Sequence, residues 1–497
     1  MQQPFCFSRS FAENSAARTC PRRRSCVKIQ IKRRACARPW KKRKLVVIVL
    51  QTGLRRTDTD MTKGSVLGQL VAFSVPLLIG NIFQQLYNMA DSFVVGNVLG
   101  EAALAAVSSA SSLINLLVDM FVGLFTGAGI LAATCYGGGD GERLSRAIRT
   151  TLVIGLAVGV FLTALGTLLS PTLLRLMHTP EDVMVNSLEY FRIYFAGSLA
   201  FIMYNCCAGL LQSLGDSVHP LKYLVAACLL NIVLDVLFVA VFDWGVGSAA
   251  LATIIAQALS AVLCLRRLWK AQAEFGYALR PAGADRASVK QIMKLGVPAA
   301  FQNCMIALSN VFVQSGINLF DTQAIAGCGA WSKLEGFAVL PIVSLSLALS
   351  TFAGQNLGAG NFERVRRGTK LGIIAGAAMS VAVGAILYIF APQLIGLFNS
   401  DPDVIAFGVW KAAWTAPFFV LVGVSNCIGG ILRGMGRTVE SMFVYLGCWC
   451  LIRVLLINVG LDIVMDIRIV FAAYPITWLL STVFFTWRYR RCIKRLA

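Results

Sequence analysis

Long apolar stretches separated by short polar turns recur along most of this chain. Stretches wide enough to cross a bilayer fall near 66–98, 102–133, 149–170, 187–213, 221–243 and 246–268. A second set falls near 290–318, 322–353, 369–391, 404–434, 437–461 and 466–488. A hydrocarbon core about 30 Å thick needs about 20 helical residues. Several stretches exceed that, so long, tilted or protruding helices are expected. In lipid an open strand would leave backbone groups unpaired, so each stretch is read as a helix. The pattern predicts an all-α polytopic membrane protein of twelve transmembrane helices, six in each half.

The two sets are copies of one another. Asn205-Cys206-Cys207-Ala208-Gly209-Leu210-Leu211 returns 221 positions later as Asn426-Cys427-Ile428-Gly429-Gly430-Ile431-Leu432. Pro171 returns as Pro392, Asp182-Val183 as Asp403-Val404, and the Gly137–Arg143 turn as Gly358–Arg364. One residue off that register, Pro76 and Asn81 face Pro298 and Asn303. A duplicated membrane unit is the usual plan of a secondary transporter, with its substrate site between the repeats.

Charge sets the orientation. Lys and Arg gather in the turns after the second and eighth stretches, in the central linker and in the tail, whereas the opposite loops carry Glu101, Asp243, Asp321, Asp401 and Asp403. The positive-inside rule then places both termini and the linker in the cytoplasm of a multi-pass plasma-membrane protein. An even number of spans per half makes the repeats parallel. The expected organisation is a leader (1–60), an N-lobe (61–270), a linker (271–289), a C-lobe (290–490) and a basic tail (491–497).

The formal net charge of +21 would otherwise suggest nucleic-acid binding. Residues 1–60 hold 16 Lys/Arg and 3 Asp/Glu, so +13 of it lies in the leader, and cytoplasmic loops account for the rest. An Arg-rich, acid-poor leader fits a transit peptide, or an upstream extension before a start at Met61; either way it is expected to be disordered. No nucleic-acid partner is expected. Four of the fifteen cysteines lie in the leader and most of the others inside spans, where they act as small apolar residues rather than a disulfide framework. His178 and His219 are the only histidines, which argues against a Cys/His metal site.

Polar groups within the apolar stretches are the candidate chemistry. A carboxylate at mid-membrane costs about 2.5–3.5 kcal/mol even on the lenient insertion scale. Gln84, Asn88 and Asp91 are spaced by four and three, so they share a face of the first helix. Asn231 and Asp235 share a face of the fifth, Tyr190 and Tyr194 one of the fourth, and Thr253 sits among small residues of the sixth. If these helices converge, Asp91, Asn231, Asp235 and Thr253 form an oxygen-lined pocket suited to a proton or Na⁺. The plain alternative is interhelical hydrogen bonding, which suffices for a lone Thr or Asn. Two aspartates without a basic partner need protonation or a cation.

The second half is polar differently. Asn310 and Gln314 lie four apart on the seventh span, Lys333 and Glu335 on the eighth, and Arg453 on the eleventh near the position matching Asn231. A Glu335–Arg453 pair locking helices together and a second ion site are both open readings. Asp119 either lines the cleft between halves or is wetted near the surface. The glycines at 137–141 and 358–360 read as helix ends rather than a phosphate cradle, and no P-loop sequence occurs.

At these residues the chain resembles the multidrug and toxic compound extrusion (MATE) family. The points of likeness are Gln84, Asn88 and Asp91 followed by Ser-Phe-Val-Val-Gly, the Asn231/Asp235 pair, and Gly354-Gln-Asn-Leu-Gly-Ala-Gly360. The resemblance runs from about Met61 to the end. It implies a V-shaped, monomeric pair of six-helix lobes that exports cationic, amphiphilic compounds against inward H⁺ or Na⁺, without a cofactor. It also implies a first-lobe cation site at Gln84, Asp91, Asn231, Asp235, Thr253 and Tyr190, with Na⁺ held at Asp91, Asp235 and Asn231. The acidic residues that one branch places in the second lobe are absent here. Asn88, Asp119, Asn310, Gln314, Glu335 and Arg453 are candidates for the substrate cleft, with Phe83, Met89 and Phe301 as apolar contacts.

Three other readings compete with export. A flippase of lipid-linked oligosaccharides should show a strongly cationic cleft, whereas the charge buried in the first half is acidic. A membrane enzyme would need a metal or nucleophile constellation that the sequence lacks. A purely structural scaffold does not explain intramembrane carboxylates. The chain is therefore expected not to be an enzyme.

Overall fold

The computed structural model describes residues 60–176, 179, 181–280 and 283–494. Residues 1–59, on which the leader readings fall, lie outside them, as does the end of the basic tail. The first half comprises α1 (Val66–Leu99), α2 (Glu101–Gly137) and α3 (Gly141–Leu176), then a bent pair, α4 (Glu181–Ala196) and α5 (Ser198–Ser213). It continues with α6 (Val218–Asp235), which runs into a π turn (Val236–Val241), and α7 (Val246–Lys270). A short α8 (Gln272–Phe275) opens the linker.

The second half repeats the plan with α9 (Arg286–Ile317), α10 (Thr322–Gly358), α11 (Phe362–Ile389) and a short α12 (Ala391–Gly396). Next, α13 (Pro402–Thr415) passes through a 3₁₀ turn (Ala416–Phe418) into α14 (Phe419–Gly434). Then α15 (Thr438–Tyr445) passes through a π turn (Leu446–Ile452) into α16 (Arg453–Ile463), and α17 (Ile467–Lys494) closes the chain. Among the described residues, eleven helices are long and apolar enough to cross a membrane, and twelve if the bent pair is one span.

Two of the expected straight spans are broken, at matching places in the repeat. The fourth bends by 48° at Gly197, where an added Cβ would come within 2.2 Å of the Ile254 side chain. Ser198, the first residue beyond the bend, hydrogen-bonds Thr163 (3.0 Å) instead of extending a straight helix. The tenth is interrupted at Ala416–Phe418 by Pro417, which has no N–H to continue the ladder. The last helix, α17, continues through Lys494.

Both lobes are built around apolar cores, but their first helices cross over. The lower half of α1 (Val66, Leu70, Phe73, Leu77) packs into the C-lobe core with Leu345, Phe352 and Phe485. Its upper half places Tyr87 against Leu224 and Cys228 of α6 in the N-lobe. The matching helix α9 does the converse, with Ile292 and Ala300 in the N-lobe core and Val313 and Ile317 in the C-lobe. Each lobe thus begins inside the other.

The lobes are joined at the end that carries the basic turns. Here α2 and α10 meet backbone to backbone. A Cβ on Gly137 would lie 1.9 Å from the Gln355 carbonyl, and one on Gly358 2.0 Å from that of Thr134. These glycines are repeat mates. The segment before α1 straps the same seam. Met61 is fully buried; its N–H donates to Gln355 Oε1 (3.1 Å) and its carbonyl accepts from Asn356 (3.0 Å) and Arg364 (3.1 Å). Gln355 Nε2 in turn donates to the Ser213 carbonyl of α5 at 2.9 Å.

The linker is docked as well. Ala278 N–H donates to Ser145 Oγ and Asp285 N–H to Thr150 Oγ1, both at 2.9 Å. Asp285 caps α9 by accepting from Ser288 N–H and Oγ, and these bonds hold its carboxyl below the usual carboxylate range.

Candidate functional site

Four helices bring the first-half candidates together. Asp91, Asn231, Asp235, Thr253 and Tyr190 are all buried, each 8% exposed or less. Asp91, Asp235, Tyr87, Tyr190 and Tyr194 are near enough to act on one another electrostatically. The Tyr190 and Tyr194 rings stack at 6.3 Å. Directly after Asp235 the helix widens into its π turn, which packs against both α1 and α7. Such turns shift the register of the ladder and often accompany function.

The polar atoms of this cluster are largely unused. Asp91 Oδ1 and Gln257 Oε1 are buried without a hydrogen-bond partner, while Asp235 lies beside Asn231 and Tyr87 beside Thr253 with no well-formed bond. No Lys, Arg or His lies within ion-pair distance of either aspartate among the described residues. Buried charge is tolerated only when paired or solvated, so this arrangement is incomplete without an added proton or cation. Its donors are carboxylate, amide and phenol oxygens, which suit H⁺ or a hard monovalent ion. No group of three or more His, Cys, Asp or Glu side chains able to hold a metal ion occurs among the described residues.

Asp91 also opens onto space. A cavity of about 770 Å³ lies between the lobes, and Gln84, Asn88, Asp91, Asp119, Tyr190 and Thr253 line it. Asn231 and Asp235 are outside its wall. The exposed Asp119 stands where α2 meets α9, and its carbonyl accepts from Asn303 Nδ2 at 3.0 Å. Phe83, Met89 and Phe301 are not part of the wall. Its aromatic surface comes instead from residues such as Tyr194, Tyr204, Tyr445 and Trp449.

The second-half candidates lie elsewhere. Asn310, Gln314, Glu335 and Arg453 do not line the cavity, and Gln314 spends Nε2 on Asn318 (2.8 Å). The Glu335–Arg453 pair is not formed. Arg453 (3% exposed) donates to Thr477 Oγ1 at 3.3 and 3.2 Å and lies over the Trp449 and Tyr474 rings at 5.3 and 4.6 Å.

The missed residue is Lys411. It is fully buried, donating from Nζ to Ser332 Oγ (2.7 Å) and the Cys328 carbonyl (3.4 Å), with the Tyr474 ring 5.5 Å away. Between Trp410 and Trp414 it reads as an interfacial anchor. The repeat offset could have exposed it, because 221 residues separate Lys411 from Tyr190 and Tyr474 from Thr253. Arg453 falls within one residue of the match to Asn231. The address that is acidic and oxygen-lined in the N-lobe therefore holds two cations and Glu335 in the C-lobe.

Comparison with known proteins places the chain in a family. The MatE family profile matches twice, over residues 76–237 and 298–459, once in each repeat. The Bacillus subtilis "Probable multidrug resistance protein YpnP" is 32% identical over 79% of this chain and 88% of its own length. A second B. subtilis protein, "Probable multidrug resistance protein YoeA", is 30% identical over 78% of this chain and 86% of its own. A solved structure titled as the outward-facing conformation of a multidrug resistance MATE family transporter superposes with a TM-score of 0.83. It covers 89% of this chain and 99% of that one at 22% identity, so it speaks for the fold. The chain belongs to the MatE family.

Proposed function

We propose that this protein is an antiporter that exports cationic, amphiphilic compounds in exchange for inward H⁺ or Na⁺ taken up at Asp91 and Asp235. The observation that carries the reading is a buried carboxylate pair with no cationic side chain in ion-pair reach and one member on the cavity wall. The names of the two bacterial relatives, both multidrug resistance proteins, support drug export. Orientation follows the positive-inside rule, with the basic, strapped end in the cytoplasm of a plasma-membrane protein. On that assignment the seam at Gly137 and Gly358 closes the inner side, and the cavity belongs to an outward-open state.

The cycle follows from charge. With the cavity open outward, cation uptake neutralises the aspartates and removes the attraction that held a cationic cargo, which leaves to the outside. Because α1 carries Asp91 at one end and packs into the C-lobe core at the other, a change at the site reaches the opposite lobe through one helix. After inward opening the cation dissociates, and the anionic lobe again favours cationic cargo. One charge falling through 100 mV supplies about 2.3 kcal/mol, enough for a gradient of roughly fifty-fold if one net charge enters per cycle.

Ethidium or norfloxacin efflux under imposed ΔpH and ΔNa⁺ tests the reading. Asp91→Asn and Asp235→Asn should each abolish ion-driven efflux at normal expression. Normal efflux by both variants would remove the assigned site, and wild-type efflux indifferent to both gradients would remove antiport.

A further inference from the structure

The charge of the cavity wall is split between its ends. Asp91 and Asp119 are joined there by a third charged residue, Arg433, one residue from the basic-end terminus of α14. Arg433 reaches Ser346 of α10, two residues from the Ser344 that Asn81 of α1 bonds, and Asp91 lies ten residues farther along α1, about 15 Å of helix. Arg433 and Asp91 are therefore too far apart to neutralise one another.

Arg433 has little protein to bind. Its Nη2 donates to Ser346 Oγ at 3.1 Å, with Tyr445 close by, and no carboxylate lies within ion-pair distance among the described residues. A guanidinium carries five donors in a planar fork that matches a carboxylate or phosphate. Beside it the Tyr445 hydroxyl donates to Asn426 Oδ1 at 3.3 Å, and the same cavity wall carries the neutral Gln212, Ser350 and Thr351. Gln212 is the repeat mate of Arg433, so the guanidinium belongs to the C-lobe side alone.

A separate observation gives the same sign. Behind Trp449, which also lines the cavity, Arg453 sits 5.3 Å from the indole ring, and Lys411 shares its Tyr474 neighbour. These two buried cations face a single carboxylate, Glu335. The C-lobe wall is thus backed by excess positive charge, whereas the N-lobe wall is backed by two carboxylates.

We propose that the C-lobe side of the cavity is an anion-reading subsite centred on Arg433, and that the cargo class includes amphiphiles bearing a carboxylate or phosphate beside a cationic or apolar body. This rests on the export reading for its biological use. The binding it claims is measured without transport. The competing role for Arg433 is purely structural, as a cation that complements the end of α14 and anchors Ser346.

The test uses two dyes with one cationic ring system, a free carboxylic acid and its ethyl ester, bound at equilibrium to the purified full chain. Arg433→Gln should weaken the acid by about tenfold or more, the worth of a charge-assisted hydrogen bond, and shift the ester by less than about twofold. Arg433→Lys should recover part of the loss, since a point charge replaces the fork. Equal loss for both dyes would mark a structural residue and overturn the proposal. So would unchanged acid binding, or an acid that the wild type binds no better than the ester. Export of the same dyes, measured separately, reports on antiport: binding that splits as predicted without export would sink the transport reading and leave the subsite standing.

Discussion

Asp91 and Asp235 are costly residues that the surrounding helices leave unsatisfied, and their neighbours set how strongly a cation is held. Thr253→Val removes one oxygen from the cluster while keeping its volume. Ion-driven efflux should lose about two- to tenfold in apparent cation affinity, the worth of one hydrogen bond, read from the Na⁺ or H⁺ concentration at half-maximal rate. At the C-lobe counterpart, Glu335→Gln leaves Lys411 and Arg453 facing no carboxylate, whereas adding Lys411→Met removes one of the two cations. The double variant should therefore be more stable than the sum of the singles by about 1–3 kcal/mol, measured by thermal unfolding in detergent. The acidic pocket was legible because carboxylates interrupt long apolar runs. Lys411 was hidden by its flanking tryptophans, and the Glu335–Arg453 pairing failed because the π turn before Arg453 and the Tyr474 ring set where that guanidinium lies.

Among the elements, α1 matters most, because its two halves serve different cores. Apolar periodicity showed that it crosses a membrane but carried no information about which lobe each turn would touch. The same limit applies to the breaks at Gly197 and Pro417. Pro417 is a visible breaker, but the bend at Gly197 depends on Ile254, far away in sequence. The turn between α5 and α6 shows how a local motif becomes structural. Asp216 is fully buried and accepts from Arg267 Nε (2.9 Å) and His219 Nδ1 (2.7 Å). Asp216→Ala removes the fully buried member of this network while Arg267 keeps Glu274 at 2.8 Å, and should cost about 1–3 kcal/mol, seen as a lowered unfolding temperature with the ion dependence of efflux retained in the surviving fraction.

For the whole molecule, the repeat gave the twelve spans and the parallel halves. The seam was not legible. Gly137 and Gly358 read as helix ends, which they are, yet they also let α2 and α10 touch along their backbones. Gly137→Val should push the basic ends apart and disfavour the closed seam by about 1–3 kcal/mol. Spin labels on the α2–α3 and α10–α11 turns should then report longer distances than in the wild type.

The exchange of a cation for cargo at one pair of carboxylates is best tested by ion release. Titrating a cationic dye into purified protein in weakly buffered, Na⁺-defined detergent solution should expel H⁺ or Na⁺ in proportion to dye bound, and Asp91→Asn/Asp235→Asn should expel none. Saturable dye binding by the wild type with no ion released, or equal release from the double variant, would contradict the account.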